Sequence, residues 1–142
     1  NNPYIRRMML KARGAVGAYV PKGPGAAREM IAGLNAGRHF GLLIDQKMND
    51  GISVPFFGRD AMTAPAMAQF AVRDGTPLLP VRCERLEGAR FRLTFYPPLE
   101  AVVTGDRQRD VAATMAKANA LLEAWIRERP EQWLWIHNRW PD

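Results

Sequence analysis

An apolar run ending in Asp45-Gln46, then Val54-Pro55-Phe56-Phe57-Gly58, hold the residue types from which this chain could build a ligand site. In open α/β sheets ligands bind outside the carboxyl ends of strands, so a carboxylate there is a binding candidate. The alternative is an Asp that hydrogen-bonds the backbone of the following loop. Two Phe on a loop against Gly58 could wall an apolar ligand. Equally, one fills the core and the other packs under a neighbouring helix. Downstream, the stretch from Pro130 to Trp140 gathers Trp133, Trp135, His137, Arg139 and Trp140. Its indoles and cation suit either a walled pocket or tight packing.

Acid–base chemistry needs a His within hydrogen-bond reach of the substrate proton, with a carboxylate to orient it. The two histidines are His39 and His137. His39 opens a strand whose far end is Asp45, roughly 20 Å away at a rise of ~3.3 Å per residue, so the pair forms no dyad. His39 therefore reads as structural, and His137 as packing in the closing stretch. The lone Cys83 excludes an internal disulfide and a cysteine-based zinc cluster, and reads as a small buried thiol on a strand. No ligand cluster for a metal is evident. Gly23-Pro24-Gly25 lacks the spacing of a phosphate loop, so no cofactor is expected. Arg6, Arg7 and Lys11 form a solvated or membrane-facing patch. Arg13 differs, because a cation at a helix–strand junction can point into a cleft and grip a phosphate.

The elements that must position these groups follow from periodicity. Pro3 to Lys11 reads as a helix, with Ile5, Met8 and Met9 at helical spacing. Residues 14–20 form a short strand candidate. A second helix places Ala27, Met30, Ile31 and Leu34 on one face and stops at Gly37. His39 to Ile44 is nearly continuous and apolar, which predicts a strand buried on both faces of a parallel sheet. Thr63 is placed as the N-cap of a helix with Pro65 in its first turn and Met67, Phe70 and Ala71 inward. Asp74-Gly75 ends it. Pro77 to Cys83 and Arg90 to Tyr96 are further strands, joined by a turn at Gly88. A long helix spans about Arg107 to Arg129, and Pro130 stops it.

Helices alternating with strands predict an α/β fold: a mixed, largely parallel sheet flanked by helices, with an antiparallel pair added. At 142 residues the chain fits one compact domain, or part of one. A hydrophobic content of 47% with 24% charged residues is globular and excludes a disordered chain. No apolar run nears the roughly 20 residues of a bilayer span. The net charge of +6 suggests acidic partners: phosphorylated lipid, an anionic membrane surface, an acidic carrier protein or nucleic acid. Nucleic-acid motifs are missing, so charge alone argues for that partner, and none is expected. The opening Asn1-Asn2-Pro3, without an initiator Met, reads as a cut from a longer protein.

The blocks Leu43-Ile44-Asp45-Gln46, Val54-Pro55-Phe56-Phe57-Gly58 with Thr63, and Pro77-Leu78-Leu79-Pro80-Val81 resemble the later blocks of the lysophospholipid acyltransferase superfamily. The coda from Pro130-Glu131-Gln132-Trp133 to Arg139-Trp140 narrows the resemblance to the lipid A biosynthesis acyltransferases, the lauroyl and myristoyl transferases. Asn2-Pro3 with Arg13 is similar to that family's middle block. The resemblance covers essentially all of residues 1–142 and implies the carboxyl-terminal part of a single acyltransferase domain with an incomplete sheet. It implies transfer of a fatty acyl group from acyl carrier protein to a hydroxyl of a phosphorylated glucosamine lipid, at the cytoplasmic face of an inner membrane. The family's general base lies in a His-x4-Asp/Glu motif. Here Ile44 follows His39 at that spacing and Asp142 follows His137 only at the terminus, so the motif and the membrane anchor are expected upstream of Asn1. The site residues implied are Arg13 on an acceptor phosphate, Asp45 and Gln46 lining the acceptor pocket, Phe56, Phe57 and Gly58 shaping its wall, and Thr63 capping the next helix. No catalytic residue is expected within this chain. The competing class is a non-catalytic lipid- or carrier-binding α/β module.

Overall fold

Asn2 opens the first helix, α1 (Pro3–Gly14), by accepting hydrogen bonds from the Tyr4 and Ile5 amides through its Oδ1, with Pro3 at the first helical position. The computed structural model describes residues 2–14, 17, 20, 25–136 and 138–140, and only the backbone of Arg6 and Arg13. The chain divides into two compact units, Asn1–Gly41 and Leu42–Asp142.

In the first unit α1 leaves Tyr4, Ile5, Met8 and Met9 exposed. The strand expected over 15–20 falls largely outside the described residues. Helix α2 (Ala26–Asn35) ends where the sequence places a stop. Gly37 takes φ +73°, its amide donates to Leu34 O, and the Arg38 amide donates to Gly33 O. These paired bonds satisfy the last carbonyls of the helix, and the left-handed φ is one that glycine adopts without penalty. The Phe40 ring then folds back onto α2: a Cβ at Gly33 would sit 2.5 Å from its Cζ.

That fold-back corrects one expectation. Residues 39–44 form no strand, and Leu43 stays 75% exposed. An apolar run becomes a buried strand only where neighbours pair with its backbone on both edges. No described strand lies beside this one. The sheet expectation is corrected with it: the fold is mixed α/β, but its described sheets are two antiparallel two-stranded ribbons rather than a largely parallel sheet.

The first ribbon of the second unit joins β1 (Ile52–Phe56) to β2 (Arg59–Thr63), in register Ile52 to Thr63 and Phe56 to Arg59. The second joins β3 (Val81–Arg85) to β4 (Phe91–Phe95), Val81 facing Phe95 and Cys83 facing Leu93. Between the ribbons, α3 (Ala66–Asp74) ends at Gly75 in a left-handed conformation with φ +65°. Thr63 is not its cap: Pro65 occupies that place, and Thr63 closes β2. A Cys83 buried on its strand is also corrected, since the thiol is exposed.

Helix α4 (Arg107–Glu128) is the beam of this unit. Asp106 caps it by accepting from the Arg109 amide. Val111, Met115 and Ala118 pack with Val54 and Ala68 in one core cluster. Phe56, Ala61 and Ile126 form a second, bordered by Phe57, Leu122, Trp133 and Trp140. Both clusters join β1 to α4, so the helix stripe decides where the first ribbon sits.

Candidate functional site

The β1–β2 hairpin turns through Phe57 and Gly58, whose φ values of 52° and 74° are both positive. A two-residue turn of this hand matches the twist of the flanking strands, and glycine suits its second position. Phe57 in the left-handed region is strained, at a cost of about 1–3 kcal/mol. Its surroundings hold it there. The Phe57 amide donates to Glu123 Oε1 at 2.6 Å, and the Arg127 guanidinium lies 4.8 Å from its ring centroid. The expected loop at Val54 to Gly58 is therefore a strand plus a turn.

Strand alternation then sends Phe56 inward, where it is 0% exposed. The closing stretch packs around it. Trp140 stacks at 5.7 Å between centroids and Trp133 meets it edge-on at 5.6 Å. The Arg139 guanidinium lies 4.1 Å from the Phe56 ring centroid. Trp140 Nε1 also donates to Phe56 O at 3.0 Å, and the Met62 amide donates to Arg139 O at 2.9 Å. The two informative stretches of the sequence thus meet. One of the two Phe fills the core and the other packs beside the helix.

Arg139 is 0% exposed, the largest fully buried side chain of the described residues. Its Nη2 donates to Thr63 Oγ1 at 2.9 Å and to Asn119 Oδ1 at 3.1 Å. Thr63 Oγ1 in turn donates to Ala61 O, and Asn119 Nδ2 donates to Pro55 O. Nε and Nη1 have no hydrogen-bond partner among the described residues. Burial pushes the guanidinium pKa down from its ordinary value, and the Asp45 carboxylate pulls against that. A fixed cation is thereby held beneath the β1–β2 ribbon.

The loop that carries Asp45 and Gln46 is laid against β2. The Met48 amide donates to Met62 O at 3.4 Å, and the Gly51 amide closes a turn on Met48 O. A Cβ at Gly51 would stand 2.4 Å from Thr63 O. Only glycine lets the loop approach that closely.

Among the sequence-predicted residues, the structure brings Phe56 and Thr63 against Arg139, while Asp45 acts on it through its charge without a hydrogen bond. Asp45, Gln46 and Phe57 are half-buried, Gly58 is exposed, and Thr63 is fully buried. The Arg13 side chain and His137 lie outside the described residues. Arg139, the cation of the closing stretch, takes the packing alternative. Two further participants escaped sequence reasoning. Asn119 and Glu123 had a signal: each is polar yet flanks the apolar stripe of α4 at helical spacing beside Met115, Ala118 and Leu122.

Among the described residues, no group of three or more His, Cys, Asp or Glu side chains can hold a metal, and no helix is long and apolar enough to cross a membrane. A family model described as bacterial lipid A biosynthesis acyltransferase matches residues 1–142. The chain belongs to this family. No curated protein matches it. As a lipid A biosynthesis acyltransferase, it has an acyltransferase-type function that takes an acyl donor and a lipid A precursor as acceptor. The Pro130-Glu131-Gln132-Trp133 stretch of this lipid A acyltransferase has a physical role. Gln132 accepts from the Arg85 amide at 2.9 Å and donates to Arg85 O at 3.0 Å, filling the free edge of β3 as a strand residue would.

Proposed function

We propose that this chain contributes the acceptor side of an acyl transfer from acyl carrier protein to a hydroxyl of a phosphorylated glucosamine lipid. The observation that carries this reading is the family match over residues 1–142. In it, Arg13 binds an acceptor phosphate, Asp45 and Gln46 line the acceptor site, and Phe57 and Gly58 border it at the hairpin tip. Phe56 and Thr63 support that wall from inside, consistent with their burial. The net charge of +6 suits a phosphorylated acceptor, an acidic carrier and an anionic membrane surface at the cytoplasmic face of the inner membrane. The general base that deprotonates the acceptor hydroxyl for attack on the thioester comes from a His-x4-Asp/Glu motif elsewhere in the complete protein.

The test is a transfer assay with the complete protein, acyl carrier protein loaded with a fatty acid, and a phosphorylated glucosamine lipid. The expected product is the acceptor heavier by one acyl group in mass spectrometry, and residues 1–142 alone should give no turnover. Absence of product from the complete protein sinks the reading. Arg13→Ala should lower kcat/KM on the order of tenfold or more through loss of a charge-assisted phosphate contact, with the unfolding midpoint unchanged.

A non-catalytic lipid- or carrier-binding module is the second reading, favoured because the one His-x4-Asp/Glu spacing in residues 1–142 is His137 to Asp142 at the terminus, away from the block where the family carries it. It requires saturable binding of acceptor or carrier by the complete protein without any acyl transfer.

A further inference from the structure

Every described side chain of α1 is exposed. Tyr4 is 83% exposed and Met8 63%, with Ile5 and Met9 beside them. Apolar area of this kind gains free energy only by leaving water, so a contiguous exposed stretch of it marks an interaction face.

The exposed groups are sorted around the helix axis. At about 100° per residue, Tyr4, Met8, Ala12, Ile5 and Met9 fall within an arc of about 140°. Arg7 and Lys11, one turn apart, border that arc on one side, and helical spacing sets positions 6 and 13, both Arg, on the other. The helix carries no Asp or Glu. Leu10, the least exposed of its large apolar residues at 39%, stands on the opposite side.

That layout fits a flat, negatively charged surface with an apolar layer beneath. On such a plane both cationic borders meet anionic groups at once, while the arc between them is immersed. Lys and Arg stems cover the margins of the arc and keep their charges at headgroup level, where a Tyr ring also sits well. Nucleic acid offers the charge but no apolar layer under it. A globular acidic protein keeps most of its apolar residues inside, out of reach of the arc. The 12 residues rise about 18 Å, well short of the roughly 30 Å hydrocarbon core, so this helix can lie in the interface but cannot cross it.

We propose that α1 is an interfacial helix: Tyr4, Ile5, Met8 and Met9 sink into the headgroup–acyl boundary of an anionic bilayer, and Arg7 and Lys11 pair with lipid phosphates along its border. That the bilayer is the inner membrane rests on the proposed acyl transfer; the contact itself does not.

The test attaches a fluorophore to an otherwise cysteine-free complete protein at Met8→Cys or Leu10→Cys and adds vesicles carrying nitroxide-labelled acyl chains. In vesicles of phosphatidylglycerol and phosphatidylcholine, the label at position 8 should be quenched about threefold or more above the label at position 10. The ratio of immersed to free helix should fall on the order of tenfold in phosphatidylcholine alone, and likewise in Arg7→Gln with Lys11→Gln, at about fivefold per cation. Equal quenching at the two positions, or quenching indifferent to anionic lipid, overturns the proposal. Without lipid, Met8→Glu should leave the thermal midpoint unchanged, as at any open surface position. A clear drop means that protein already covers the arc, which overturns the contact. Shielding of the label at position 8 by acyl carrier protein alone, or by raising the protein concentration alone, overturns it in favour of those partners. If the wild-type protein transfers no acyl group, the proposed function fails while the quenching still decides the contact between helix and bilayer.

Discussion

At the residue scale, Asn119 is the side chain on which the buried cluster depends most. It donates to Pro55 O and accepts from Arg139, so it satisfies one strand carbonyl and one guanidinium nitrogen at once. Asn119→Ala removes the side-chain donor to Pro55 O and leaves Arg139 Nη2 with Thr63 Oγ1 alone, and each buried hydrogen-bonding group so deprived costs about 1–3 kcal/mol. The expected loss of about 2–4 kcal/mol should show as a lower urea midpoint with an unchanged slope. Asp110 supplies a pH signature on the same helix. The Thr104 hydroxyl, then the Thr104 and Gly105 amides, hold its carboxyl below the ordinary carboxylate value. A carboxyl whose pKa is depressed by folding stabilises the fold above its unfolded value of about 3.9. That contribution is lost as pH falls through the folded value. The thermal midpoint should therefore drop below about pH 4, and Asp110→Asn should flatten that part of the profile.

At the element scale, polar side chains of α4 serve backbone groups of the chain wrapped around it. Thr114 Oγ1 accepts from the Val102 amide, Asn119 donates to Pro55 O, and Glu123 accepts from the Phe57 amide. Those residues flank an apolar stripe that reads plainly as a helix, so the sequence shows the helix but not which strands it serves. The loop 45–51 is held by a different device, close backbone approach at Gly51. Gly51→Ala must displace either the loop or β2, because the new methyl carbon meets backbone rather than a movable side chain. A loss of about 1–3 kcal/mol is expected from such overpacking, measured by thermal unfolding. In the complete protein, restoration of the midpoint by a substitution at Leu43 alone would argue against backbone contact as the cause.

At the scale of the whole molecule, the two ribbons behave differently. The β1–β2 ribbon buries Val54, Phe56, Ala61 and Thr63 against its surroundings. The β3–β4 ribbon turns Arg82, which lies over Trp125 and pairs with Glu128, toward α4, and leaves Phe91, Leu93 and Phe95 outward. Leu93→Lys should change stability by no more than about 0.5 kcal/mol, whereas Met115→Ala at the first cluster should cost about 2–5 kcal/mol. Comparable losses in the two variants would mean that the outward face is covered in solution. The helices α2, α3 and α4, the glycine stops of α2 and α3 and the proline stop of α4 were legible in sequence, as was the β3–β4 pair with β3 at Val81–Arg85 rather than the expected Pro77 to Cys83, because helical period, strand alternation and turn residues are local properties. The family was legible too, from short blocks and the coda. Tertiary structure alone decided the rest. An apolar run such as 39–44 states that it resists water, not what will pair with it. Thr63 looks like a helix cap until β2 claims it, and Arg139 suits a walled pocket as well as tight packing until β1, β2 and α4 close around it. Burial and pairing are properties of groups distant along the chain, and no local pattern encodes them.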